Sequence, residues 1–447
     1  MDENRWNEDR AEEKKQRAGK NRFWSGVLAG ALVTALAGLV VVGMSAGIYL
    51  FGRGVMNRQP ESSGQEAQVQ EGGENAIDYD KLTSKMRMIE GIVDRYFLYD
   101  KDAETVEDYT YLGMMAGLGD IYSTYYSERE FQSIMDSTSG EYYGIGAMIS
   151  QNRSTGLCTV VRVYEGTPAM EAGMLPGDVI YQVEDELVAG QSLDVLVNNY
   201  IKGEEGTPVH ITVYRAEGDA YVDLTITRRR IEVPTVEHRM MEDGVGYVLV
   251  SEFDGVTAEQ FAEAVDDLES QGMEGLIIDL RSNPGGVLDS AVRMADYILP
   301  DDLDTYEKGE GKTLIVYTAD KNGQGDVYAA SDGHALDLPI VVLVNGESAS
   351  ASEVFTGALK DYDAAKVVGA ATYGKGIVQN VIPLGDGSAI KITTAHYYTP
   401  SGFDLHGKGI EPDVAEELNT ELKTQAVVDP EEDNQLSRAV QVLKAMF

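Results

Sequence analysis

Cysteine is nearly missing from this chain of 447 residues: Cys158 is the only one. No intrachain disulfide and no cysteine-based metal cluster can therefore form. Positive charge is scarce too, with 36 Lys and Arg against 75 Asp and Glu, a net charge of −39. That balance excludes the basic face that nucleic acid would demand of a partner; the acidity itself reads as solubility and mutual repulsion. His-Glu-x-x-His, the usual signature of a zinc peptidase, is absent, as is a Gly-x-Ser-x-Gly elbow. His210, His238, His334, His396 and His406 lie in no recognisable hydrolase motif. Neither a metal nor a cofactor is called for.

Long apolar runs are missing as well, with one exception. Trp24–Phe51 carries no charged side chain and is long enough to cross a bilayer as one transmembrane helix. Arg5, Arg10, Lys14, Lys15, Arg17, Lys20 and Arg22 precede it, and only Arg53 and Arg58 follow closely. The asymmetry keeps residues 1–23 in the cytoplasm and places the bulk of the chain outside a bacterial cell membrane. Met44-Ser-Ala-Gly47 leaves signal-peptide cleavage as the alternative. Residues 52–78, rich in Gln, Glu, Ser and Gly, read as a flexible acidic tether. Over residues 79–138 Leu82, Met86, Ile89, Val93 and Phe97 recur at helical spacing, as do Leu112, Met115, Ala116 and Leu118. A helical packing or dimerisation layer without chemistry of its own is expected there.

From 139 to 230 short β-like runs alternate with glycine. Gly166-Thr-Pro-Ala-Met-Glu-Ala-Gly-Met-Leu-Pro-Gly-Asp-Val-Ile-Tyr181 gives a short helix, a turn and a strand, and Val209–Arg215 with Tyr221–Arg228 gives a hairpin. This stretch resembles a PDZ domain. The resemblance places Gly144, Ile145 and Gly146 in the carboxylate-binding loop, where successive N–H groups form a nest for a peptide C-terminus.

Residues 231–415 alternate strand-like and helical runs, the pattern of an α/β domain with a largely parallel sheet. Three features stand at strand ends. Asn283-Pro-Gly-Gly286 is a turn whose glycines let N–H groups face a cleft, as an ordinary tight turn or as an oxyanion donor. Asn345-Gly-Glu-Ser-Ala-Ser-Ala-Ser-Glu353 follows the β-branched run Pro339–Val344 and opens a helix. Read alone, Ser350-x-x-Glu353 is a capping box. Lys375, between two glycines in apolar surroundings, is either an exposed hairpin lysine or a buried base. To act near pH 7 it needs a pKa depressed by roughly 3 units.

Asp279-Leu-Arg-Ser-Asn-Pro-Gly-Gly286, Ser348-Ala-Ser-Ala-Ser-Glu353, Gly374-Lys-Gly-x-Val-Gln379, Thr399-Pro-Ser-Gly402 and Gly409-Ile-Glu-Pro-Asp413 occur together and in order. Together they resemble the carboxy-terminal processing (tail-specific) serine proteases, peptidase family S41. The resemblance implies an α/β protease core of crotonase/ClpP-like type with an inserted β-rich PDZ domain. It also implies that Ser350 is the nucleophile, Lys375 its general base and Gln379 the residue that orients the lysine. The oxyanion would meet the N–H of Ala351 and of Gly285 or Gly286, while Arg281 braces the turn and Glu353 acts as cap or scaffold. Substrates would be unstructured C-terminal tails, and the protein a homodimer, with 416–447 a C-terminal helical dimerisation or packing segment. His396 and Phe403-Asp-Leu-His406 depart from the family pattern and put local substrate contacts in doubt. The reading from another class is a membrane-bound PDZ scaffold that has lost activity.

Overall fold

The computed structural model describes residues 76–424 and 428–447, apart from positions 153, 189 and 304. The expected membrane span at 24–51 lies outside the described residues; among those described, no helix is long and apolar enough to cross a membrane.

The protease-like half is built on a six-stranded sheet in the order Val236–Met240, Val245–Val250, Gly275–Asp279, Ile340–Val344, Lys366–Gly369, Val414–Ala415. Only the Val236–Met240 edge pairs antiparallel; the rest is parallel. Parallel strands buried on both faces read as unbroken apolar runs, and Ile340–Val344 is buried at every position. Its residues alternate sides. Ile340, Val342 and Val344 join the core formed with helices Thr257–Ser270, Leu288–Ile298 and Ala351–Asp361. Val341 and Leu343 face the opposite way, onto Leu436, Ala439 and Leu443 of the final helix Asn434–Lys444. The C-terminal segment therefore packs on its own sheet. Its apolar stripe, expected to serve packing or a dimer, is used to cover the second face.

A second, antiparallel sheet was not expected. The strand Ala389–Tyr398 pairs with Ile377–Pro383, with Leu314–Asp320 and with Thr124–Tyr126. The apolar surroundings of Lys375, residues 367–381, divide between the two sheets: Lys366–Gly369 belongs to the parallel one and Ile377–Pro383 to the antiparallel one. The glycines at 374 and 376 lie in the link between them.

The β-rich unit forms its own sheet from Ala147–Gln151, Cys158–Val163, Val179–Val183, Pro208–Arg215 and Ala220–Thr227, around a separate core that includes the fully buried Cys158. Chain entry and exit are zipped together, since Glu141–Gly144 pairs antiparallel with Arg229–Glu232. This is the expected insertion. Helices Tyr79–Tyr96, Ala103–Ala116 and Glu128–Ser139 precede it. No residue of Tyr79–Tyr96 is buried, so its apolar stripe, Leu82, Met86 and Ile89 among it, faces outward.

Candidate active site

The buried strand Ile340–Val344 delivers the chain to a turn that carries three serines, and each hydroxyl has a different partner. Ser348 Oγ donates to the Leu280 carbonyl at 2.7 Å, and Ser352 Oγ donates to the Asn283 carbonyl at 3.0 Å. These two bonds stitch the serine turn to the chain entering and opening Asn283-Pro-Gly-Gly286. The hydroxyl of Ser350 instead lies 2.9 Å from that of Tyr397. Ser350 also has φ 57° and ψ −115°, a left-handed conformation that costs a non-glycine residue on the order of 1–3 kcal/mol. Neighbouring contacts must hold it there.

Glu353 supplies them. Its fully buried carboxylate accepts from Ser350 N at 2.8 Å, Gly374 N at 2.7 Å, Lys375 N at 2.8 Å and the Thr372 hydroxyl. The bond to Ser350 N is the return bond of a capping box, so the cap is present beside whatever chemistry the serine performs. Burial raises the pKa of Glu353, and the four donors pull it the other way.

Lys375 has 0 % exposure, so it is not a hairpin lysine. Its amine lies 4.9 Å from the centre of the Tyr122 ring. Burial, chiefly, and then the charge of Lys391 lower its pKa to about 7, against the opposing pull of Glu353 and Asp120. Lys391 is itself buried and lowered to about 8 by that burial. The flanking glycines have a steric reason. A Cβ at 376 would stand 2.6 Å from His406 N, and one at 374 would stand 2.9 Å from the N atoms of Lys408 and Gly409. Gln379 is buried on the following strand and donates through Nε2 to the Ile377 carbonyl at 3.2 Å.

On the other side of the serine, Gly285 has φ 99°, and a Cβ there would meet Ser350 Cβ at 2.7 Å and Ala351 N at 2.9 Å. Gly285 N donates to Asn283 Oδ1 at 2.8 Å, so it is engaged within the turn. Among the described residues no hydrogen bond engages the N–H of Gly286 or of Ala351. These two are the donors open to a developing oxyanion. Arg281 braces the turn as expected, bonded to Asp279 and to Asp433 at the cap of the final helix.

Two expectations change. The helical region at 79–138 does touch the site. Thr124–Tyr126 pairs with Ala389–Tyr398, Tyr122 covers Lys375, and Asp120 accepts from Ser123 and Thr393 hydroxyls at 2.6 Å each. Tyr397 was passed over, although alternation along Ala389–Tyr398 brings it inward; among the described residues it is the hydroxyl partner of Ser350, and no histidine takes that place.

In the inserted unit, Ile145 is buried and Gly146 has φ 82°, the left-handed geometry a nest needs. Part of that nest is covered from within. The Tyr142 ring lies so near Gly144 that a Cβ there would stand 2.6 Å from it. Among the described residues, the carboxylates near enough to share a cation, Asp296, Asp301 and Asp332, have no member in either site.

Residues 244–416 match the family model described as peptidase family S41, and residues 159–215 match one described as a PDZ domain. The chain is 36% identical over 344 residues to "Probable CtpA-like serine protease" of Staphylococcus aureus (strain COL), covering 76% of this chain and 66% of that protein. It is 36% identical over 346 residues to "Carboxy-terminal-processing protease" of Bartonella bacilliformis, covering 76% of each. Among solved structures it resembles "Photosystem II D1 C-terminal processing protease", with 28% identity, 78% of this chain and 89% of that one covered, and a TM-score of 0.43.

Proposed function

The chain belongs to peptidase family S41, with the carboxy-terminal-processing proteases, and from that premise we propose that it is a serine endopeptidase working through Ser350 and Lys375. The observation that carries this reading is the fate of the three serines. The outer two hydroxyls are bonded to backbone carbonyls, and the middle one is held, on a strained backbone, beside a buried lysine loop.

The mechanism follows from the groups present. Neutral Lys375 takes the Ser350 proton as Oγ attacks a peptide carbonyl, and the carbonyl π pair moves onto oxygen. The N–H groups of Gly286 and Ala351 receive that charge. Collapse breaks the C–N bond, and the lysine ammonium returns its proton to the departing amine. Water then attacks the acyl-enzyme with Lys375 again as base, the C–Oγ bond breaks, and Ser350 recovers its proton. Gln379 has the role of orienting Lys375.

The substrates in this reading are unstructured C-terminal tails, captured as an added strand with the terminal carboxylate at Gly144–Gly146. The left-handed Gly146 supports that assignment. The protease core is of crotonase/ClpP-like kind, anchored through 24–51 with its catalytic part outside the cell. The homodimer is supported by the outward apolar stripe of Tyr79–Tyr96.

Cleavage of an unstructured reporter protein by the full chain and by Ser350→Ala tests the reading. Loss of turnover in the variant is expected. Equal cleavage by both would remove the dyad, and no cleavage by either would favour the scaffold.

A further inference from the structure

We propose that Tyr397 is a further catalytic residue, whose hydroxyl donates a hydrogen bond to Ser350 Oγ and stabilises charge on that oxygen as it attacks and as it leaves. The inference rests on Ser350 as nucleophile, and its test separates the two.

Ser350 Oγ and Tyr397 Oη are 2.9 Å apart, and both residues are buried. A serine hydroxyl has one proton and two acceptor positions. When that proton is committed to Lys375, Tyr397 must be the donor, filling an acceptor position on Oγ. Burial, above all, raises the phenol pKa, so the donor keeps its proton wherever Lys375 is neutral.

Tyr397 is also fixed in place. Its N–H donates to the Gly376 carbonyl at 3.1 Å, and its backbone pairs with Thr318. The strand that presents the phenol thus also holds the residue after Lys375, so donor and base share one support. With Tyr397 only 2 % exposed, the bond acts in a poorly solvated site, where a donor to an ionised oxygen is stronger than in water.

The proton balance of the reaction is unchanged. Attack sends the Ser350 proton to Lys375, and the Tyr397 proton stays on its oxygen. In deacylation the C–Oγ bond breaks, Oγ keeps the bonding pair, and Lys375 supplies the proton. Tyr397 donates to Oγ at both moments.

The test compares the full chain with Tyr397→Phe, which removes one oxygen atom. Turnover of an unstructured reporter and phosphonylation of Ser350 by a fluorophosphonate are both measured. The expected result is a fall in kcat of about 10- to 100-fold with KM changed less than about twofold, and a parallel fall in phosphonylation. Fluorotyrosine incorporated at 397, a stronger donor of nearly the same shape, is expected to phosphonylate at least as fast as the parent. A Phe variant that turns over and phosphonylates within twofold of the parent, or faster, overturns the inference. If the Phe variant does not fold, slower phosphonylation of the fluorotyrosine protein overturns it instead. Activity surviving in Ser350→Ala would overturn the nucleophile assignment beneath it.

Discussion

Ser350 and Lys375 hang from one carboxylate oxygen: the backbone N–H of each lies 2.8 Å from Oε2 of Glu353. The nucleophile turn opens a helix of the parallel sheet, and the lysine loop leads into the antiparallel one. Their relative position is therefore set by the Glu353 side chain.

Glu353→Gln keeps the size and replaces one acceptor oxygen with an NH2 group, which cannot accept. At least one of the four donors then faces another donor in a buried site. The expected outcome is a loss of about 1–3 kcal/mol in unfolding free energy. A fall in kcat larger than that in kcat of a surface control should accompany it, measured by thermal unfolding and reporter turnover.

In the proposed mechanism Lys375 must be neutral to act as base, so activity is expected to fall as pH falls through its pKa. With that pKa at about 7, kcat/KM should rise about tenfold per pH unit below 7 and level off above it. Lys391→Met removes a like charge and should move this limb to higher pH. Asp120→Asn removes an opposite charge and should move it lower. The linkage has the same sign: between about 7 and the ordinary lysine value of 10.5 the unfolded chain holds a proton that the folded chain lacks, so Lys375 makes stability climb with pH across that window. Lys375→Met should flatten the slope.

Gly285→Ala places a Cβ 2.7 Å from Ser350 Cβ and 2.6 Å from the Ala349 carbonyl, at φ 99°. Nothing there is the free end of a flexible chain. Turnover should fall at least 100-fold with substrate affinity less affected, because the displaced atoms carry the nucleophile and the Ala351 N–H.

In the inserted unit, the Tyr142 ring lies against Gly144, where it would crowd an incoming peptide carboxylate. Tyr142→Ala should then bind a C-terminal tail peptide several-fold more tightly than the parent, measured by fluorescence anisotropy, with an amidated peptide as control. Equal affinity for acid and amide would argue against the carboxylate nest.

Much of the candidate site was legible in the sequence because its residues sit at strand ends marked by glycine and serine. The β-branched run before Asn345 and the flanked Lys375 each carried a local signal. Lys391 and Asp120 carried none, since their meaning comes from pairing between Thr124–Tyr126 and Ala389–Tyr398, more than 260 positions apart; alternation could point Tyr397 inward, but not toward Ser350. The split of 367–381 between two sheets was hidden for a related reason: both halves are apolar and β-branched, and periodicity does not say which neighbour a strand chooses. Gly285 and Gly286 look alike in sequence, and only the Asn283 side chain distinguishes them.

The most direct measurement is the site and rate of covalent labelling by a fluorophosphonate, read by peptide mass spectrometry on the full chain and on Lys375→Met. A single adduct on Ser350, formed at least 100-fold more slowly without Lys375 and following the pH limb near 7, is the predicted result. Labelling at another residue, or on Ser350 at the parental rate without the lysine, would contradict the assignment.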